Sequence, residues 1–192
     1  MRQDIIKDLK TNYMGKNIIY FEEIESTQKK AKEMSETLEN GSVILANNQT
    51  SGIGTHGRKW FSEKGKNILF TITLFPDCTI EKINKLTILI AECFVETIQK
   101  LYEINLQIKS PNDLICNGKK IGGILTESVT QKEIVKKIFI GIGFNVNTEK
   151  FDTQIEKIAT SLKKEFNKEF DRNTIISTFL NIFEKNFEEL IK

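Results

Sequence analysis

Metal-ligating and chain-breaking residues are scarce here: among 192 residues there are one histidine, two prolines and three cysteines. Cys78, Cys93 and Cys116 are odd in number, lack CxxC spacing and stand in apolar or turn contexts. They read as free intracellular thiols, and with a single histidine no structural zinc site is expected. No apolar run approaches the roughly 18 residues of a transmembrane helix, and the N-terminus lacks a basic-then-apolar signal pattern. Charge is nearly balanced, with 28 Lys and Arg against 26 Asp and Glu and a net charge of +2. Such a balance demands neither nucleic acid nor a membrane surface. Pro/Ser-rich linkers, repeats and low-complexity tracts are also missing, so one domain over 1–192 is expected, soluble and cytoplasmic.

What is present concentrates between Asn47 and Leu74, in NNQTSGIGTHGRKWFSEKGKNILFTITL. Three glycines (Gly52, Gly54, Gly57), the basic pair Arg58 and Lys59 and the only tryptophan, Trp60, lie between two strand-like runs. Glycines let a backbone approach a ligand closely, and arginine is a forked donor for phosphate or carboxylate. The loop therefore reads as an anion-binding lid, with a flexible hairpin as the plain alternative. A dinucleotide fingerprint must open a helix. Here Arg-Lys-Trp-Phe-Ser and a strand follow Gly57, so the Rossmann reading fails. A protein-kinase reading fails for want of HRD and DFG motifs.

Elsewhere the pattern is strands and amphipathic helices. A charged helix is expected over 2–10, a strand over 17–21, and a helix from Ser26-Thr27-Gln28 to about Glu39, stopped by Asn40-Gly41. Ser26 and Thr27 can serve as N-caps, as polar ligands, or as both. Strands follow over 42–47 and 67–75. Ile83, Leu86, Ile90, Phe94, Ile98 and Leu101 then predict a core helix over 80–101. Leu106–Lys109 is a short strand ending at Pro111. Asn117-Gly118 joins strands 113–116 and 119–128 as a hairpin, with Lys120, Gly122 and Ile124 expected on one face. In 138–147 the apolar Ile138, Ile140, Ile142, Phe144 and Val146 alternate with Phe139, Gly141, Gly143, Asn145 and Asn147. Glycine disfavours a strand, so a helix or a ligand must lie on that small polar face. A weak helical stretch after Lys150 and an amphipathic helix over 173–190 complete an α+β plan: a mixed, largely antiparallel sheet with helices packed on one side.

Four blocks in register resemble the biotin–protein ligases. EIESTQKKA is similar to the family's Ser-Thr-Asn-type helix start, and QTSGIGTHGRKWFSEKGKNILFTITL to its Gly-Arg-Gly-Arg-x-Gly-Arg-x-Trp loop. KSPNDLICNGKKIGGILTES is similar to its Lys-Trp-Pro-Asn-Asp block with a downstream Lys-x-x-Gly, here Lys120 to Gly123. GIGFNVN is similar to its Gly-Ile-Gly-Ile-Asn-Val-Asn strand. The resembling core spans about 17–147.

The resemblance implies ATP-dependent activation of biotin to biotinyl-5′-AMP, with Mg2+ accompanying the nucleotide. Transfer to a lysine of a biotin carboxyl carrier domain follows. It places Ser26, Thr27, Gln28 and Gln49 on the ureido ring and the Gly52, Ile53, Gly54 and Thr55 backbone over biotin. Lys120, with Gly123 nearby, would meet the biotin carboxylate and α-phosphate. Arg58 and Lys59 would face the phosphates, Trp60 the adenine and Asn112 the triphosphate and metal, with the adenylate on Gly141, Gly143 and Asn145. Lys120, Arg58 and Asn112 are the candidate catalytic residues; no dedicated protein metal site is expected. Ile53 and Thr55 replace two of the family's loop arginines, and Ser110 its tryptophan. No helix-turn-helix precedes Tyr20 and an SH3-like C-terminal domain is not seen, so DNA binding is not expected; a homodimer is compatible. Two alternatives stay open: a lipoate or octanoate-type transferase, and a biotin-binding protein without ligase activity.

Overall fold

The alternating segment near residue 140 becomes the middle of a sheet. The structure is a computed structural model describing residues 2–192. Its elements are α1 (Arg2–Lys7), β1 (Ile18–Phe21), α2 (Thr27–Glu33), β2 (Ser42–Ala46), β3 (Gly52–Ile53), β4 (Lys59–Trp60) and β5 (Ile68–Leu74). There follow β6 (Cys78–Thr79), α3 (Leu86–Tyr102), β7 (Gln107–Lys109), β8 (Asp113–Cys116), β9 (Lys119–Gln131), β10 (Ile134–Phe144), α4 (Leu162–Phe166) and α5 (Arg172–Ile191). The main sheet runs β1-β2-β5-β10-β9-β8-β7, with β6 also on β10. β1 and β2 pair in parallel, and the other ladders are antiparallel. The α+β plan is the observed one.

Side-chain alternation divides the sheet into two faces. Val43, Leu45, Phe70, Ile72, Ile138, Ile140, Ile142 and Phe144 point toward α3 and α5 and form the main core with Phe94, Phe179 and Phe183. The aromatic rings interlock there: Phe94 lies 4.5 Å from Phe144 and 5.2 Å from Phe179 between ring centres. On the other face α2 packs Ala31 against Ile44 and Phe139. The long helices thus share one side, as the pattern implies, and the short α2 lies across the other, where the glycines are.

Several boundaries differ from the expectations. α2 ends at Glu33 rather than near Glu39: beyond it Ser35 N–H bonds the Lys32 carbonyl and Thr37 N–H the Met34 carbonyl, three-residue turns, and the Thr37 hydroxyl also donates to the Met34 carbonyl at 2.9 Å. The helix expected from Ile80 opens as a 3-10 turn over Ile80–Ile83, because β6 is tied to β10 and Ile80 N–H bonds the Glu133 carbonyl. The segment after Lys150 is turn until α4. Asn117 and Gly118 both take positive φ, 48° and 76°, as the Asn-Gly hairpin requires.

One correction bears on the site. Ile115 pairs with Lys120 and Leu114 with Gly122, so Ile121 is an extra residue bulged into β9. A bulge re-aims the side chains beside it. Ile121 is fully buried in the core and Gly122 packs against Phe144 and Leu114. Lys120 therefore shares its face with Gly123, not with Gly122 and Ile124.

Candidate functional site

The polar residues singled out from the sequence gather at the start of α2. Ser26 is the N-cap of α2, its hydroxyl accepting from Lys29 N–H at 3.4 Å, and it also lines a small pocket. The N-cap reading of Ser26 is thus the one the structure bears out. Gln49 Oε1 accepts from the Thr27 N–H at 2.7 Å and from its hydroxyl at 3.0 Å. Thr71 on β5 reaches the Thr27 hydroxyl at 3.0 Å and Gln28 Oε1 at 3.2 Å. Gln28 Nε2 donates to Glu127 at 2.8 Å. Burial pushes the Glu127 carboxyl upward, but bonds from Lys32 and Gln28 outweigh it and hold it below its ordinary value.

The glycine face of β10 is covered by two side chains. A methyl group on Gly141 would sit 2.6 Å from Gln28 Oε1, and one on Gly143 would sit 2.4 Å from Cε2 of Trp60. At neither position does a Cβ fit without displacing the side chain above it, which accounts for the strand's composition. The Trp60 ring comes from a hairpin that the sequence did not reveal: Gly52 pairs with Trp60 and Ile53 with Lys59. Two-residue strands carry too little periodicity to be seen. Arg172, half-buried at the start of α5, donates to Asn47 Oδ1 at 3.2 Å and to the Asn67 carbonyl at 3.0 Å, and so ties both ends of the loop.

Two cavities meet at Trp60 and Lys120. The smaller, about 40 Å³, is lined by Ser26, Thr27, Gln28, Gln49, Ile53, Asn112, Gly123, Gly141 and Gly143, among others. The larger, about 690 Å³, is lined by Arg58, Lys59, Lys109, Asp113, Lys157 and Asn145, with Ile155, Ile158 and Ala159 along one side. Gly54, Thr55, Trp60 and Lys120 line both. The larger is of ordinary ligand size, whereas the smaller has room for about one water.

Lys120 Nζ is 2.5 Å from Asp113 Oδ1 and 5.7 Å from the centre of the Trp60 ring. Its backbone is bonded to Ile158 and Thr160, which stitches the 155–160 segment beside β9. Arg58 turns back on its own loop, donating to the Thr55 hydroxyl at 2.9 Å. Asn112 donates to the Ile124 carbonyl at 3.2 Å and lines the smaller pocket with Lys120, apart from Arg58 and Lys59, which line only the larger one. Asn145 donates to the Thr160 carbonyl at 3.0 Å, while its Oδ1 and the Trp60 Nε1 are buried with no partner among the described residues. Gly52 lies behind Gln49 and Trp60 and lines neither cavity. Thr71, Glu127, Lys109, Lys157 and the 155–159 segment escaped sequence reasoning. Thr71 looks like any strand threonine, and the segment has no periodic pattern.

The sequence profile of the biotin/lipoate A/B protein ligases matches residues 20–145. The chain belongs to this family. It is 39% identical over 184 residues to the bifunctional ligase/repressor BirA of Bacillus spizizenii, covering 94% of this chain and 57% of that protein. For BirA of Bacillus subtilis the identity is 38%, with the same coverage. The chain thus spans a little over half the length of these relatives. The biotin protein ligase of Aquifex aeolicus, solved in complex with biotin and ATP, superposes with a TM-score of 0.79 at 30% identity, over 92% of this chain and 72% of that one. The family's description takes in both biotin and lipoate ligases, so the family alone leaves the acyl group open.

Proposed function

We propose that this chain is the catalytic domain of a biotin–protein ligase. In the first step a biotin carboxylate oxygen bonds the α-phosphorus of ATP, the α–β bridging bond breaks, and pyrophosphate leaves. In the second, a lysine amine of a biotin carboxyl carrier domain attacks the acyl carbon, and AMP and a proton leave. One observation carries the reading: a pocket lined by Ser26, Thr27, Gln28 and Gln49 abuts a cation-lined cavity, with Lys120 on the shared wall. Carboxylate and α-phosphate would meet at that wall, where negative charge builds and an ammonium stabilises it. The rest is positioning of two reactants in adjoining sites.

Asp113 is the one acidic residue lining the larger cavity, and it is paired with Lys120. No cluster of three metal-ligating side chains occurs among the described residues. Mg2+ would come with the phosphates of ATP, with Asn112 helping to place them. The same reading gives a cytoplasmic enzyme acting on the carrier domain of a biotin-dependent carboxylase, with a homodimer as a compatible assembly. Among the described residues no helix is long and apolar enough to cross a membrane.

Biotin-dependent ATP–pyrophosphate exchange tests the proposal. The chain should catalyse it, and Lys120→Ala should slow it about 100-fold or more, the scale for losing one preorganised donor. Exchange driven by lipoate or octanoate instead would select the transferase alternative. Biotin binding without exchange would select the inactive binder.

A further inference from the structure

The polarity of the smaller pocket is set from outside it. Gln28 is only 4% exposed. Its Nε2 donates to Glu127 Oε2 at 2.8 Å and to the Phe139 carbonyl at 3.2 Å. The other Glu127 oxygen accepts from the Lys32 ammonium at 2.7 Å. An ionised carboxylate and a carbonyl can only accept, and a side-chain amide carries its hydrogens on nitrogen alone. Gln28 therefore has one orientation open to it, with nitrogen toward Glu127 and oxygen toward the pocket. Its Oε1 lies over Gly141 and takes the Thr71 hydroxyl at 3.2 Å. Gln49 and Thr27 line the same pocket, Gln49 Oε1 accepting from the Thr27 hydroxyl.

We infer that Glu127, which does not itself line the pocket, is a positioning residue that holds Gln28 oxygen-inward. The pocket thereby selects a ring bearing N–H donors, a cyclic urea, over an acyl group that has none. The inference rests on the ligase reading and adds to it a residue outside the pocket that decides which acid is bound. Without the carboxylate only the longer 3.2 Å bond to the Phe139 carbonyl holds the Gln28 nitrogen, and an amide that turns would set that nitrogen against the ligand's own N–H groups. Gly141 belongs to the same device, because any side chain there would displace Gln28 Oε1.

The test is steady-state exchange with biotin as the varied substrate. Glu127→Gln, whose amide can offer either face to Gln28, should raise KM for biotin about tenfold, with KM for ATP and kcat changed less than about twofold. Gln28→Met should raise the same KM, and adding Glu127→Gln to it should produce no further rise, since positioning acts only through the amide. Biotin N-methylated at one urea nitrogen should be discriminated less by Glu127→Gln than by the wild-type chain. Additive effects, or a Glu127→Gln biotin KM within about twofold of wild type, would overturn the inference and leave the ligase reading standing. A wild-type chain without biotin-dependent exchange would instead overturn the reading beneath it. If Glu127→Gln does not fold, the wild-type Gln28 side-chain amide decides by ¹⁵N–¹H NMR. Both protons should be protected from exchange and one shifted downfield by the carboxylate; an unshifted pair exchanging freely with water would overturn the inference.

Discussion

The two faces of β10 come from one run of residues and do opposite work. Ile138, Ile140, Ile142 and Phe144 face α3 and α5, where large rings and branched chains fill space. Gly141 and Gly143, on the other face, are small because Gln28 and Trp60 lie directly on the backbone. On the first face volume is what matters, and any apolar group of the right size contributes. On the second, single atoms at defined positions matter, and a methyl group is already too much. Stability and chemistry should therefore separate by face.

The largest expected effect is on the core face. Phe179 is fully buried against Phe70, Phe94 and Phe183. Phe179→Ala should destabilise the fold by about 3–5 kcal/mol in denaturant unfolding, while exchange activity per folded molecule changes little. If the activity of the folded fraction collapses as well, the faces are coupled and the comparison fails. The Lys120→Ala variant is the converse case: a large loss of exchange with an unfolding midpoint near that of wild type.

An intermediate effect is expected at the loop. Thr55 stands where the family pattern has an arginine, and Arg58 is turned back onto the Thr55 hydroxyl. Thr55→Arg should slow release of labelled biotinyl-5′-AMP about tenfold, since a charge-assisted hydrogen bond is worth roughly 1.5–3 kcal/mol and about 1.4 kcal/mol is a factor of ten. An unchanged dissociation rate would mean that another residue already clamps the adenylate.

The smallest effect should be the most diagnostic. Gly143→Ala places a methyl group where the Trp60 ring now lies, and the ring must leave. Trp60 is the only tryptophan, so its fluorescence should shift to the red as the indole becomes wetter, with only a small change in unfolding midpoint. Emission identical to wild type would show that the ring does not rest on this face in solution.

Much of this protein was legible in its residues. Alternation in 138–147 announced a strand with one apolar and one small face, which the structure places over Ile134–Phe144 with Asn145 to Asn147 beyond its end, and Asn117-Gly118 announced a hairpin whose positive φ values the structure bears out. The cap at Ser26 and the amphipathic period of α3 and α5 were equally local signals. These features repeat within a few residues, and hydrophobic period and turn chemistry are written at that range. The aim of Lys120 depended instead on one extra residue, Ile121, whose bulge appears only when β8 is laid beside β9. Likewise the meeting of Gln28 with Glu127, 99 residues apart, and of Trp60 with Gly143 has no local trace. Sequence by itself determined the candidates for the chemistry and which strand would have one face of small residues. Tertiary structure decided which atoms face one another, because strand pairing and a bulge bring together groups that no local periodicity relates.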